Sequence, residues 1–292
     1  MNITMNDDFD LKKIAESGQC FRWEPLGRES WRIPFRDHCL RAARIGESTF
    51  ELDCCEEEYE RIWRGYFALD ENYAAIRARI EESADPYLYR AAEIGRGIRI
   101  LRQDLWETLV SFIISQNRNI PAIRRSVDLL CRSAGERRTD RAGEEYFSFP
   151  GPAAVAALSD GELKGCALGY RCEYVRAAAE HAVAGGLELS SFDGVSDEEA
   201  IEKLMRIRGV GLKVASCTVL FALHRLNVFP VDTRIRKALG LEYPDGFPDE
   251  RYAPYRGVYQ QYMFALGPRP GRGHSSTIGA LMSISGRGLP RR

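Results

Sequence analysis

The stretch "RIRGVGLKVASC" (206–217) offers the first chemistry. Gly209 and Gly211 bracket a valine, and Lys213 stands at the mouth of the apolar run that follows. A glycine turn between two helical patterns leaves backbone N–H groups free at the start of the second helix. With the helix dipole these form an anion site, for which a phosphodiester is a natural occupant. A plain helix–helix turn with an exposed lysine is the other reading of these residues alone. A dinucleotide fingerprint fails because Val214 stands where its third glycine belongs, and no Gly-Lys-Ser/Thr of a P-loop exists.

Downstream, "FPVDTRIRKAL" sets Asp232 after Pro230 and just before a helical run, the N-cap position. Nineteen residues separate it from Lys213, enough for one helix and a connection, so the two helix starts can lie close. As a plain cap Asp232 contributes about 1 kcal/mol. As a functional acid it orients a lysine nucleophile and stabilises positive charge developing on a substrate. An amine attacks only after losing its proton. Burial beside the positive end of a helix dipole favours that loss, whereas a close carboxylate opposes it. Asp232 is therefore not expected to be a tight ion-pair partner of Lys213. Lys213 and Cys217, four apart, share a helical face, as do Gln260 and Phe264 in "YQQYMF". Taken alone, that second pair reads better as a core aromatic beside a surface glutamine.

The elements that must position these groups follow from patterning. The chain has 292 residues, 45% hydrophobic and 28% charged, an ordinary globular composition large enough for a real core. No apolar run approaches a membrane span, and the acidic N-terminus lacks a signal-peptide pattern, so a cytoplasmic location is expected. Eight scattered cysteines without a Cys-x-x-Cys, and four distant histidines, argue for free buried thiols and against a metal site; no cofactor is expected. The net charge of −1 is weak evidence against a nucleic-acid partner, but residues 51–60 are acidic and the tail is basic, so the total can conceal a basic face.

Residues 18–55 read as short alternating strands in "CFRWEP", "SWRIPFR", "CLRAARIG" and "TFELDC". From about 56 the texture is helical. "QDLWETLVSFIISQ" is apolar nearly all round and reads as a central helix. In "IPAIRRSVDLLCRSAG", Pro121 suits a first turn and Gly135 a stop. "GELKGCALGYRCEYVRAAAEHAVAGG" breaks at Gly169. The expectation is an α+β chain: a small N-terminal antiparallel sheet domain with flanking helices (1–100), a two-lobed helical body (101–267) whose final helix (249–267) completes a pocket, and a basic tail (268–292) that reads as disordered.

With "LMRIRGVGLKVASC" and "FPVDTRIRK" in place, the chain resembles the helix-hairpin-helix base-excision DNA glycosylases. Within them it is similar to the 8-oxoguanine DNA glycosylase branch, through "SGQCFRW" (17–23), "SFIISQNRNI" (111–120), "GYR" (169–171) and "YQQYMF" (259–264). The resemblance runs from about residue 18 to 267. It implies a bifunctional DNA glycosylase and abasic-site lyase acting as a monomer on double-stranded DNA containing oxidised guanine, in the cytoplasm of a bacterial or archaeal cell. Such an enzyme extrudes its target base into a pocket. The resemblance implies that the carbonyl of Gly18 accepts the lesion's N7–H, that Gln260 reads the Watson–Crick edge, and that Phe264 and Cys217 sandwich the base. Lys213 would attack C1′ with Asp232 as its acid. Asn117 would fill the vacated stack, with Arg118, Asn119, Tyr170, Arg171, Gly209, Gly211 and Arg234 on the DNA.

Three positions depart from the eukaryotic members. Ala122 stands where they have an arginine that grips the opposite cytosine, so strict cytosine selectivity is not implied. Arg118 replaces a middle asparagine and Arg234 a histidine, and both suit phosphate contacts. The rival readings are a related glycosylase with another lesion preference and a non-catalytic helix-hairpin-helix DNA-binding module. Relatives with a four-cysteine cluster after the last helix are excluded, since Cys217 is the last cysteine; alkylation-repair relatives generally lack the lysine. A metabolic Schiff-base enzyme would show barrel strands.

Overall fold

The computed structural model describes residues 1–267. The sequence expectation for the tail, 268–292, falls outside the described residues. The elements in chain order are β1 (Asn2–Thr4), α1 (Leu11–Glu16), β2 (Glu24–Pro25), β3 (Ser30–Phe35), β4 (His38–Arg44) and β5 (Thr49–Leu52). Next come α2 (Glu56–Glu58), running through a π turn into α3 (Arg64–Tyr66), then α4 (Tyr73–Ala78), α5 (Pro86–Gly95), α6 (Leu105–Ile114) and α7 (Ile120–Ala134). A small hairpin, β6 (Arg137–Thr139) and β7 (Glu145–Phe147), precedes α8 (Pro152–Ala156), α9 (Asp160–Gly165), α10 (Cys172–Val183) and α11 (Asp197–Met205). The chain continues as α12 (Leu212–Phe221), α13 (Thr233–Glu242), α14 (Asp249–Tyr252) and α15 (Arg256–Leu266).

The N-terminal sheet is antiparallel throughout, in the order β1-β5-β4-β3-β2. Alternation puts Trp31 and Ile33 of β3, Leu40 and Ala42 of β4, and Phe50 and Leu52 of β5 into one core with Leu11, Ile14, Trp63 and Phe67. The second core is larger and belongs to the helices, with α6 buried on almost every residue. The larger core takes in Tyr73 of α4 and Leu88 and Ala91 of α5. Helix α5 is covered by α15 from the far end of the sequence, while Leu101 returns to the smaller core.

"CFRWEP" yields a strand only at Glu24–Pro25. Its apolar residues are shared between two cores, Cys20 and Trp23 in the smaller and Phe21 in the larger, so the segment is a tie between them and not a ladder. Strand β1 and helices α1 and α5 were not singled out in the sequence. The chain break expected at Gly169 appears as one 3₁₀ turn, Gly169–Arg171, between α9 and α10. Pro121 lies in the first turn of α7 and Gly135 follows its last, as expected. All eight cysteines are free; five are buried and Cys55 is exposed. Among the described residues no helix is long and apolar enough to cross a membrane.

Candidate active site

Helix α11, a short turn and α12 form the hairpin. Gly209 has φ +85°, and a Cβ there would lie 2.1 Å from the Tyr174 ring, so both backbone and packing demand glycine. Gly211 is the N-cap of α12, so no side chain caps this helix. A Cβ at Gly211 would meet nothing within 4 Å, so the fold itself does not require glycine at that position.

Lys213 follows in the first turn of α12. It is half-buried, with Nζ donating to Ser115 Oγ at 2.9 Å and lying 4.8 Å from the centre of the Phe112 ring. Ser115 caps the C-terminus of α6, and its hydroxyl donates to Phe112 O at 2.7 Å. With its proton spent there, the oxygen can only accept from the amine. The lysine thus sits between the positive start of α12 and the negative end of α6. Asp232 is the N-cap of α13, its Oδ1 accepting from Ile235 N–H at 2.8 Å. Among the described residues no ion pair joins it to Lys213. Cys217 is one turn beyond Lys213. Burial pushes its thiol up to about 11, against the pull of Lys213 and with the help of Asp232, so it stays neutral and offers an apolar surface.

The facing wall comes from both ends of the chain. Gly18, with φ +77°, lies against Phe264: an added Cβ would be 3.2 Å from that ring. Arg234 stacks over Phe264 at 4.9 Å. Gln260 is 3% exposed and accepts from Gln261 Nε2 at 2.9 Å. Helix α15 is locked in place by close approaches at two glycines. A Cβ on Gly95 would strike Tyr262, and one on Gly257 would strike Val228 O and Leu220. Lys213, Cys217, Asp232, Gly18, Gln260 and Phe264 line one cavity of about 500 Å³, with Asn117, Arg118 and Arg234 also on its wall.

The loop from Ser115 to Asn119 borders this cavity. Asn117 is exposed at φ +51° and donates to Tyr170 OH at 3.2 Å; Tyr170 is itself exposed. Asn119 caps α7 by accepting from Ala122 N–H at 3.0 Å. Arg118 donates to Ser126 Oγ and to Ala167 O. Arg171 is 4% exposed and donates twice to Gln116 O and once to Leu168 O, so it braces the loop from within. Gln116 in turn donates to Gly209 O at 3.1 Å, tying the loop to the hairpin. Sequence reasoning did not single out Ser115, Gln116 or Gln261. The signal for the first two was a polar pair ending an otherwise apolar helix. Among the described residues no group of His, Cys, Asp or Glu side chains is placed to hold a metal ion.

A family model described as the N-terminal domain of 8-oxoguanine DNA glycosylase matches residues 2–109. The chain is 35% identical to the N-glycosylase/DNA lyase of Saccharomyces cerevisiae over 257 residues, covering 80% of this chain and 68% of the relative. It is 37% identical to the N-glycosylase/DNA lyase OGG1 of Arabidopsis thaliana over 237 residues, covering 78% and 64%. It thus spans about two thirds of the length of these curated relatives. The solved 8-oxoguanine glycosylase/lyase of Clostridium acetobutylicum, in complex with double-stranded DNA containing cytosine opposite 8-oxoguanine, superimposes with a TM-score of 0.82 at 32% identity. That match covers 91% of this chain and 97% of the other.

Proposed function

The chain belongs to the 8-oxoguanine DNA glycosylase family, and from that premise we propose that it excises 8-oxoguanine from duplex DNA and nicks the strand at the resulting abasic site. The observation that carries this reading is the cavity itself. A lysine with a single hydrogen bond among the described residues meets, in one base-sized space, a neutral thiol, an aromatic ring and a buried carboxamide.

The reaction follows from these positions. The extruded base slides between Cys217 and Phe264, and its N7–H, which guanine lacks, donates to the carbonyl of Gly18. Gln260 meets the Watson–Crick edge. The Lys213 amine attacks C1′, the N-glycosidic bond breaks, and the base departs with the bonding electrons and a proton. Asp232, whose Oδ1 is held by its own helix, stabilises the positive charge that grows on the sugar. Opening of the sugar ring gives a Schiff base with Lys213. Loss of a proton at C2′ expels the 3′ phosphate, and water then releases the lysine. The uncapped start of α12, with Gly211 open to solvent, receives a backbone phosphate. Asn117 and Tyr170 meet the gap in the duplex, Asn119 borders it as the cap of α7, and Arg118 and Arg234 reach the phosphates. The protein acts as a monomer without a cofactor, in the cytoplasm of a bacterial or archaeal cell.

Borohydride trapping tests the reading. A duplex holding one 8-oxoguanine opposite cytosine should give a covalent adduct with the wild type. Neither Lys213→Gln nor an undamaged duplex should. Excised base without an adduct would remove Lys213 from its role. Tight DNA binding with neither adduct nor product would favour the non-catalytic hairpin module.

A further inference from the structure

Gln261 stands next to Gln260 on α15 and is as deeply buried, at 4% against 3% exposure. Both side chains line the cavity. Gln261 Nε2 donates to Gln260 Oε1 at 2.9 Å, while Gln261 Oε1 is buried and has no partner among the described residues. Leucine or methionine would fill this space without leaving a buried acceptor unpaired, which costs stability. Packing alone therefore does not account for a glutamine here.

A carboxamide has one accepting end and one donating end, and a half-turn about its last bond exchanges them within almost the same shape. A base edge is read by that difference. Guanine presents the O6 acceptor beside the N1–H donor; adenine presents the N6–H donor beside the N1 acceptor. A glutamine free to rotate would accommodate both. Gln260 is not free to turn alone: its NH₂ would then face the N–H of Gln261 and the bond between them would be lost, so the two amides can only turn together.

We propose that Gln261 is a positioning residue that fixes the amide orientation of Gln260, and so sets the cavity's preference for a guanine-type over an adenine-type edge. This rests on the reading above, in which Gln260 meets the base edge. The bond between the two side chains lies inside the protein and is formed before any base arrives.

The experiment compares single-turnover excision of 8-oxoguanine and 8-oxoadenine from otherwise identical duplexes. It uses the wild type, Gln261→Met, Gln261→Glu and Gln260→Met. Each protein is also measured for thermal unfolding and for affinity to a duplex carrying a tetrahydrofuran abasic analogue, which has no edge to read. Gln261→Met should lower the ratio of the two rates about tenfold, the scale of one buried hydrogen bond, with abasic-duplex affinity unchanged. Gln261→Glu, assayed at alkaline pH where its carboxylate can only accept, should draw Gln260 Nε2 towards it and lower the ratio further; it also carries the test if Gln261→Met fails to fold. Equal loss for both bases, or an unchanged ratio in the Gln261 variants while Gln260→Met alters it, would overturn the proposal. An unchanged ratio in Gln260→Met would instead remove the edge-reading role of Gln260, and the proposal with it. Failure of the wild type to excise 8-oxoguanine would count against the functional reading as a whole.

Discussion

Arg99 and Lys213 are both cations drawn into the protein, and they are held in opposite ways. Arg99 is fully buried and all its donors are spent. Nε donates to Phe67 O at 3.1 Å, one terminal nitrogen to Asp7 Oδ2 at 2.7 Å and Asp8 O at 2.9 Å, and the other to Ala68 O at 2.6 Å and Glu71 O at 2.7 Å. The guanidinium also lies 4.2 Å from the Tyr73 ring centre. Lys213 has one hydrogen-bond partner among the described residues, Ser115. Saturation makes Arg99 a fastener between the N-terminal segment and the helices. The spare capacity of Lys213, at the edge of a cavity, is what a substrate can use.

Substitution should separate the two. Lys213→Gln should lower base excision by on the order of 10³-fold or more, yet shift unfolding free energy by no more than about 0.5 kcal/mol. Single-turnover kinetics alongside denaturant melts check both halves. Arg99→Met should do the reverse: a loss of about 3–5 kcal/mol, because Asp7 and four carbonyls lose their donor in a buried setting. Excision per folded molecule should stay near wild type at low temperature. A stable Arg99→Met protein would end the contrast.

The hairpin allows a finer comparison. Gly209→Ala should cost about 2–4 kcal/mol, since it meets both a left-handed backbone and the Tyr174 ring. Gly211→Ala should stay within about 0.5 kcal/mol, and any loss of duplex affinity then belongs to the approach of the ligand. Ser115→Ala should reduce the excision rate about tenfold without weakening abasic-duplex binding, as one hydrogen bond placing the amine is lost. A larger change in stability than in rate would recast Ser115 as a plain helix cap.

The smallest effect concerns acid. Burial alone would raise the Asp7 carboxyl, but Arg99 and the N–H groups of Ala74, Tyr73 and Asp8 outweigh it and hold it below the usual range. A group depressed in the fold contributes fully above its unfolded value, near 4, and loses that contribution as pH falls through the folded value. Asp7→Asn should therefore be less stable at neutral pH but lose stability less steeply below about pH 4. Parallel acid-melting curves for the two proteins would remove Asp7 from the fastener.

What was legible in the sequence was local. Asp232 after Pro230 announced a cap, Pro121 and Gly135 bounded α7, and four-residue spacing put Lys213 with Cys217 and Gln260 with Phe264 on shared faces. Such features follow from backbone geometry within a turn or two, so the chain states them directly. The three-residue strand β1 did not show, because its partner β5 lies some 47 residues on and gives it its only reason to be extended. The burial of Arg171 did not show for the same reason, since its bonds to the carbonyl of Gln116 span 55 residues. The sequence by itself determined the chemistry available and the helices that carry it. Tertiary structure alone decided that Ser115 holds the lysine and that Gly18 meets Phe264. Hydrogen bonds and ring contacts reach only a few ångströms, so which groups share them depends on how distant segments pack, and no short-range pattern encodes that.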